Sequence, residues 1–244
     1  MSRFPRRAAL RMLGALPLAA AARAEEPVLY DVLLKGGRVL DPKNQRDGVM
    51  DVAIVGDRIH RIAPDLSPAH ARKVVNVSGY VVTPGLIDIH GHFDVSGPSL
   101  SINPDHNCLR NGVTTGVDAG TSGWKRFEAF KADTIDRAST RVLAFLNIVG
   151  VGMYGSGDGG PENDVSEMDV EAAVAMVSKY PETIVGIKTA HYQPADWQAV
   201  DRAVDAAERS NSVLMVDFHP KPGRGYEELI LEHMEPGNIH THFY

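Results

Sequence analysis

Gly79-Tyr80-Val81-Val82-Thr83-Pro84-Gly85-Leu86-Ile87-Asp88-Ile89-His90-Gly91-His92 is the stretch on which the reading of this chain turns. Its second half is apolar and bounded by Pro and Gly, so it predicts a strand over Val82–His92. On a strand, residues i and i+2 share a face. His90 and His92 therefore project together from the strand's C-terminal end, with Gly91 keeping the backbone between them open. Two neutral imidazoles on one face supply much of a metal ligand set, although an H-x-H pair alone is a weak signal.

Downstream, short apolar runs alternate with longer helical stretches. Strands are expected at Thr114–Ala119, Arg141–Val149, Ile184–His191, Ser212–His219 and 238–244. Helices are expected at Trp124–Ala138, Val165–Tyr180, Pro194–Asn211 and Tyr226–Met234, with Ser166-Glu167-Met168-Asp169 opening the second as a capping box. Alternation of this kind predicts βα units around a parallel sheet. Runs that are apolar throughout suit strands covered on both faces. About six strands fit into the 164 residues after Tyr80, whereas a complete (β/α)₈ barrel needs eight strands and about 250 residues. The expected fold class is α/β, a TIM-type barrel incomplete here or else an open sheet.

Upstream, Tyr30–Asp41, Asp51–Val55, Arg58–Ile62 and Val74–Tyr80 alternate apolar and polar residues around Gly and Pro punctuation, including the turn Gly56-Asp57. This predicts a small antiparallel β domain. Residues 1–24 read as something else. Arg3, Arg6, Arg7 and Arg11 precede an apolar run of about 11 residues that ends Ala22-Arg23-Ala24. A basic start, a short apolar stretch and an A-x-A-like site predict a cleaved signal peptide, and the Arg6-Arg7 pair predicts the twin-arginine route to a periplasm. The expected domains are thus 1–24, 25–80 and 81–244.

Charge narrows the partners. The whole chain carries −6, and residues 25–244 carry 20 basic against 31 acidic side chains, or −11. Nucleic acid and anionic membranes, which reward Lys and Arg, are disfavoured; a small-molecule substrate is expected, and oligomeric state is not legible. The single cysteine, Cys108, excludes an internal disulfide and a Cys-based zinc finger, and reads as a small core residue. Gly150–Pro161 is glycine-rich but lacks G-x-x-x-x-G-K-[ST], so it predicts a loop wall rather than a phosphate cradle.

Other histidines fall at strand ends: His219 closes one run, and His242, with His240 two residues before it, nearly closes the last. Ligands from several strand ends converge above a barrel mouth. Taken together, Tyr30–Val39, the Gly79–His92 run, Asn111-Gly112-Val113-Thr114-Thr115, Asp118-Ala119-Gly120-Thr121 and Gly186-Ile187-Lys188 resemble the amidohydrolase superfamily, in its deacetylase and dihydroorotase-like branch. The resemblance covers residues 28–244. It implies two Zn²⁺ ions, His90 and His92 on the first, carboxylated Lys188 bridging both, and His219 and His242 on the second. Spacing alone would make Lys188 an ion-paired barrel lysine and would leave His240 and His242 as equals; the resemblance selects the carbamate and His242. His191, His106 and His233 read as structural or surface residues, with a substrate-pocket role kept open for His191 by its nearness to Lys188.

The same resemblance implies hydrolysis of an amide or ester, in the first place deacetylation of a small N-acyl or O-acyl compound. Cyclic amide hydrolysis, as by dihydroorotases and hydantoinases, is the alternative within enzymes. The family's aspartate at the end of the eighth strand has no counterpart among Asp88, Asp118 and Asp217, so no catalytic residue is assigned. A non-catalytic chain that binds metal or ligand is the remaining alternative.

Overall fold

The structure, a computed structural model, describes residues 29–97, 100–155 and 160–242. The expected signal peptide lies outside the described residues. The chain divides into two compact units, meeting between Val82 and Thr83.

The first unit is one sheet of five strands: β1 (Tyr30–Asp41), β2 (Arg46–Val55), β3 (Arg58–Ala63), β4 (Ala71–Asn76) and β5 (Val81–Val82). β1, β2 and β3 form antiparallel hairpins, the second turning at Gly56-Asp57 as its sequence predicts. The expected antiparallel pairing holds for β1, β2 and β3, while β4 and β5 run parallel to β1 along its other edge. The chain between β3 and β4 crosses back through Leu66 and a short 3₁₀ turn, Pro68–His70, instead of closing a hairpin. Gly36, at φ +78°, marks a bulge that splits β1 into a half paired with β4 and a half paired with β5. Val82 belongs to this sheet. Thr83, Pro84 and Gly85 separate it from the next strand, because proline has no N–H to give a ladder.

One buried carboxylate ties this sheet together. Asp51, 1% exposed, accepts from Lys35 Nζ at 2.7 Å, Gly36 N at 2.8 Å and Leu66 N at 2.8 Å. Burial alone would raise its pKa, but these three donors outweigh it and hold the carboxyl below the usual carboxylate range.

The second unit contains β6 (Leu86–Gly91), β7 (Val113–Gly123), β8 (Arg141–Asn147), β9 (Ile184–Thr189), β10 (Val213–Asp217) and β11 (Ile239–Thr241). They form one parallel sheet in chain order. In a flat sheet β6 and β11 would lie about 24 Å apart, five spacings of about 4.8 Å. Yet the rings of His90, on β6, and His242, just past β11, are 5.0 Å apart. The sheet is therefore curled into a half-barrel.

Alternation decides what lies on each side. Val142, Ala144 and Leu146 of β8 and Leu214 and Val216 of β10 pack outward against Ala173, Val177, Ala199, Val200 and Ala203 of the helices Val170–Lys179 and Gln198–Arg209. Val117, Ala119, Phe145 and Met215 form the inner core. Cys108 is buried, as its reading required.

The helices are shorter than their sequence patterns. Trp124–Ala138 yields only Phe127–Phe130, followed by a π-helical turn, Lys131–Ile135, because the Lys125 and Arg126 amides are committed to Gly150 and Gly123 carbonyls. Tyr226–Met234 likewise becomes Tyr226–Glu228 and a π turn, Leu229–His233. The capping box is also corrected. Asp169 caps the helix by accepting from Ala172 N, while Ser166 bonds Asp164 in the 3₁₀ turn before it.

Asp51→Asn removes the charge that three donors converge on. It should lower stability by about 2–3 kcal/mol, read as an earlier urea midpoint. Because the folded-state pKa is depressed, the contribution is present above about pH 3.9 and is lost as pH falls through the lower folded value. An unchanged midpoint would contradict the assignment.

Candidate metal centre

The half-barrel's C-terminal rim encloses a cavity of about 510 Å³. His90, His92, Lys188, His191, Asp217 and His242 supply its polar lining, and Leu100, Ala119, Met153 and Ala190 its apolar part. Four of the six strands, β6, β9, β10 and β11, thus contribute at or just beyond their ends, and β7 adds Ala119.

His90 and His92 sit as the i, i+2 rule requires, their rings 5.7 Å apart. His92 Nδ1 lies 2.8 Å from Thr121 Oγ1, which leaves Nε2 free. Phe93, next in line, donates its N–H to Asp118 Oδ2 at 2.7 Å, and Thr121 donates its own to Oδ1 at 2.7 Å. Asp118 therefore ties the end of β6 to β7. Burial lifts its pKa to about 6 against those two bonds. Burial also pushes His90 and His92 down to about 4, helped by Lys188 and by the neighbouring imidazoles, so both rings are neutral donors at pH 7.

Lys188 ends deep inside, 1% exposed, and its Nζ makes no hydrogen bond to any described residue. It reaches that position past Gly120, where a Cβ would stand 2.5 Å from Lys188 Cγ and where φ is +86°. Burial lowers its pKa to about 8, partly opposed by Asp217, Asp118 and Glu162. Near neutral pH this enlarges the fraction of free amine, the form that can react with CO₂, on the order of 10²-fold over an ordinary lysine.

Two of the rim residues are aimed by backbone rather than by strand pleat. His191 and His242 adopt left-handed φ values of +56° and +55° just past β9 and β11, a conformation uncommon outside glycine and often found at functional sites. The turn at His242 brings its ring against His90. It also separates the two candidates that spacing left equal: His240 packs edge-on to Tyr226 at 5.2 Å instead. His191, for which the sequence left a structural and a pocket role open, lies on the cavity. Its Nδ1 is 3.1 and 3.2 Å from the two oxygens of Glu162, itself 1% exposed, and this bond raises its pKa. The carboxylate fixes Nδ1 as the donor, leaving Nε2 facing Asp217 at 3.6 Å. No sequence pattern linked Glu162, in a loop, to His191.

His219 is not brought to the cavity lining. β10 ends at Asp217, and His219 lies past it, before Pro220. The tightest imidazole and carboxylate cluster among the described residues, Glu228, Glu232 and His233, lies elsewhere. Two of its three members already have partners: Glu228 accepts from Trp197 Nε1 at 2.9 Å, and His233 pairs with Asp201 at 2.8 Å. The donors at the rim do fit a cation. Neutral imidazoles, a buried carboxylate and a buried amine without a hydrogen-bond partner face one space.

A curled parallel half-barrel carries its donors on the C-terminal rim, where barrel enzymes place their sites. Comparison with known proteins narrows the reading. A deacetylase of Agrobacterium fabrum is 26% identical over 227 residues, 90% of this chain and 55% of that one. A deacetylase of Brucella anthropi is 28% identical over 202 residues, 80% of this chain and 50% of that one. A dihydroorotase crystal structure superposes with a TM-score of 0.75 at 26% identity, covering 86% of this chain and 56% of that one. No protein-family model matches. The chain is thus similar to amidohydrolases over most of its length, and it spans about half the length of the curated relatives it matches.

The depressed histidines give a pH signature. The unfolded chain takes up protons near pH 6.5, the folded one only near 4, so the unfolded state binds more protons between these values. The metal-free chain should lose stability as pH falls from about 6.5 to about 4, a window above that of Asp51. Urea midpoints at several pH values, repeated with His90→Asn and His92→Asn, check this; a wild-type slope as flat as the variants' would refute it.

Proposed function

We propose that the chain forms the metal-binding part of an amidohydrolase that cleaves an amide or ester bond, in the first place removing the acyl group from a small N-acyl or O-acyl compound. The observation that carries this reading is Lys188, whose amine is buried without a hydrogen-bond partner in the same cavity as His90, His92, His242 and Asp217. A buried ammonium among neutral imidazoles is costly. As the free amine that nitrogen adds CO₂ and loses a proton, and the carbamate so formed offers anionic oxygens suited to cations. His90, His92 and Lys188 would hold metal, with zinc the expected ion for a set of imidazole and carboxylate donors. When bound, the metal supplies a nucleophile at neutral pH and polarises the scissile carbonyl.

The chain's own residues supply the rest of the site. The cavity volume suits a small molecule. Leu100, Met153, Ala119 and Ala190 offer an apolar wall for an acyl group. Glu162 holds His191 with Nε2 toward the cavity, a fixed hydrogen-bonding group for substrate. The deacetylase relatives match across 80–90% of the chain, which favours deacylation. The fold likeness to a dihydroorotase keeps cyclic amide hydrolysis as the second reading.

Purified with zinc and bicarbonate, the protein should release acetate from N-acetyl or O-acetyl compounds. Lys188→Ala should lower both metal content and rate, the latter at least about 10²-fold. Equal rates with and without a chelator would sink the proposal, and turnover confined to cyclic amides would select the second reading.

We also infer export to the periplasm from Arg6-Arg7, the apolar run and Ala22-Arg23-Ala24. Among the described residues no helix is long and apolar enough to cross a membrane. N-terminal sequencing of the mature protein should begin at Glu25; an intact Met1 in the cytoplasm would count against this inference.

A further inference from the structure

From the geometry of β10 we infer that Asp217, rather than His219, is the metal donor contributed by that strand. The inference rests on the metal-dependent reading above. Along β10 the pleat sends Leu214 and Val216 outward to the helices and Met215 inward to the barrel core. Asp217 is one pleat beyond Met215, so its carboxylate occupies the last inward position, directly at the rim. Its side chain is 6% exposed and lines the cavity.

That carboxylate has no hydrogen bond that would account for its burial. Oδ1 has no hydrogen-bond partner. Oδ2 lies 3.4 Å from His242 Nε2 and 3.6 Å from His191 Nε2, beyond the usual 2.7–3.2 Å of an N–H···O bond. Two donors on one tetrahedral ion, each about 2.0–2.2 Å from it, stand about 3.4 Å apart. Lys188 Nζ does not bond Asp217 either. A buried carboxylate with charged neighbours but no hydrogen bond is poorly satisfied, and a cation between these groups would satisfy it.

His219 is placed differently. It follows the end of β10 and does not line the cavity, and its Nε2 comes no closer than 4.0 Å to Asp217 Oδ1. Its carbonyl accepts from Arg224 Nη2 at 3.2 Å, which holds the backbone at that point. The Asp217 carboxylate makes the ligand set one negative charge richer than an imidazole would, while remaining suited to zinc.

The test is zinc stoichiometry and affinity of the purified chain, by elemental analysis and competition with a chromophoric chelator, for wild type, Asp217→Asn and His219→Asn. The inference expects Asp217→Asn to lose metal or weaken binding at least about tenfold, with His219→Asn matching wild type. His219→Asn, at an exposed side chain, carries the test even where Asp217→Asn does not fold. Loss of metal in His219→Asn, or full retention in a folded Asp217→Asn, would overturn the assignment and leave the hydrolase reading intact. A wild-type chain that takes up no metal would overturn both.

Discussion

Two opposite charges are buried at the mouth of the half-barrel, and neither has a hydrogen-bond partner that satisfies it. The Lys188 amine and the Asp217 carboxylate face the same cavity without touching. Buried and without hydrogen bonds, the two groups are poorly satisfied as they stand and well suited to a cation. The neighbouring features follow from the same condition. Burial keeps His90 and His92 neutral, the form in which an imidazole offers a lone pair. Gly120, with no Cβ and a positive φ, gives the lysine its path into the site.

The fold serves this mouth. Six parallel strands in chain order would carry the first and last donors far apart, but the curl of the sheet returns β11 to β6 so that His242 meets His90. Positive φ at His191 and His242 adds aim that the pleat alone does not give. Such conformations cost on the order of 1–3 kcal/mol each, which links local backbone strain to the position of two rim imidazoles. Asp118 and Glu162, both buried, fix the backbone of Phe93 and Thr121 and the tautomer of His191. The donors are thus held by groups that do not themselves line the cavity.

Much of this was legible in the sequence because it depends on short-range periodicity. The H-x-H pair, the alternation of strands with helices and the turn at Gly56-Asp57 are statements about spacing 2, spacing 3.6 and glycine. What was not legible depends on where strands stop and how the chain leaves them. His219 has the right parity, but β10 ends two residues earlier, which moves the inward position to Asp217. His240 and His242 are equivalent by pleat, and a left-handed residue separates them. Glu162 meets His191 across 29 residues and a loop, a pairing that no local pattern encodes. The parallel placement of β4 and β5 beside β1 is likewise set by tertiary pairing and not by their alternation.

The central claim is that the donors at this rim, and not the acidic cluster at Glu228, Glu232 and His233, form the metal centre. Anomalous diffraction at the zinc edge, from crystals of protein prepared with zinc and bicarbonate, tests it directly. The account predicts anomalous density within the cavity bounded by His90, His92, Lys188, Asp217 and His242, with added density continuous with Lys188 Nζ. Zinc found only at Glu228, Glu232 and His233, or an unmodified Lys188 beside a metal-free rim, would contradict it.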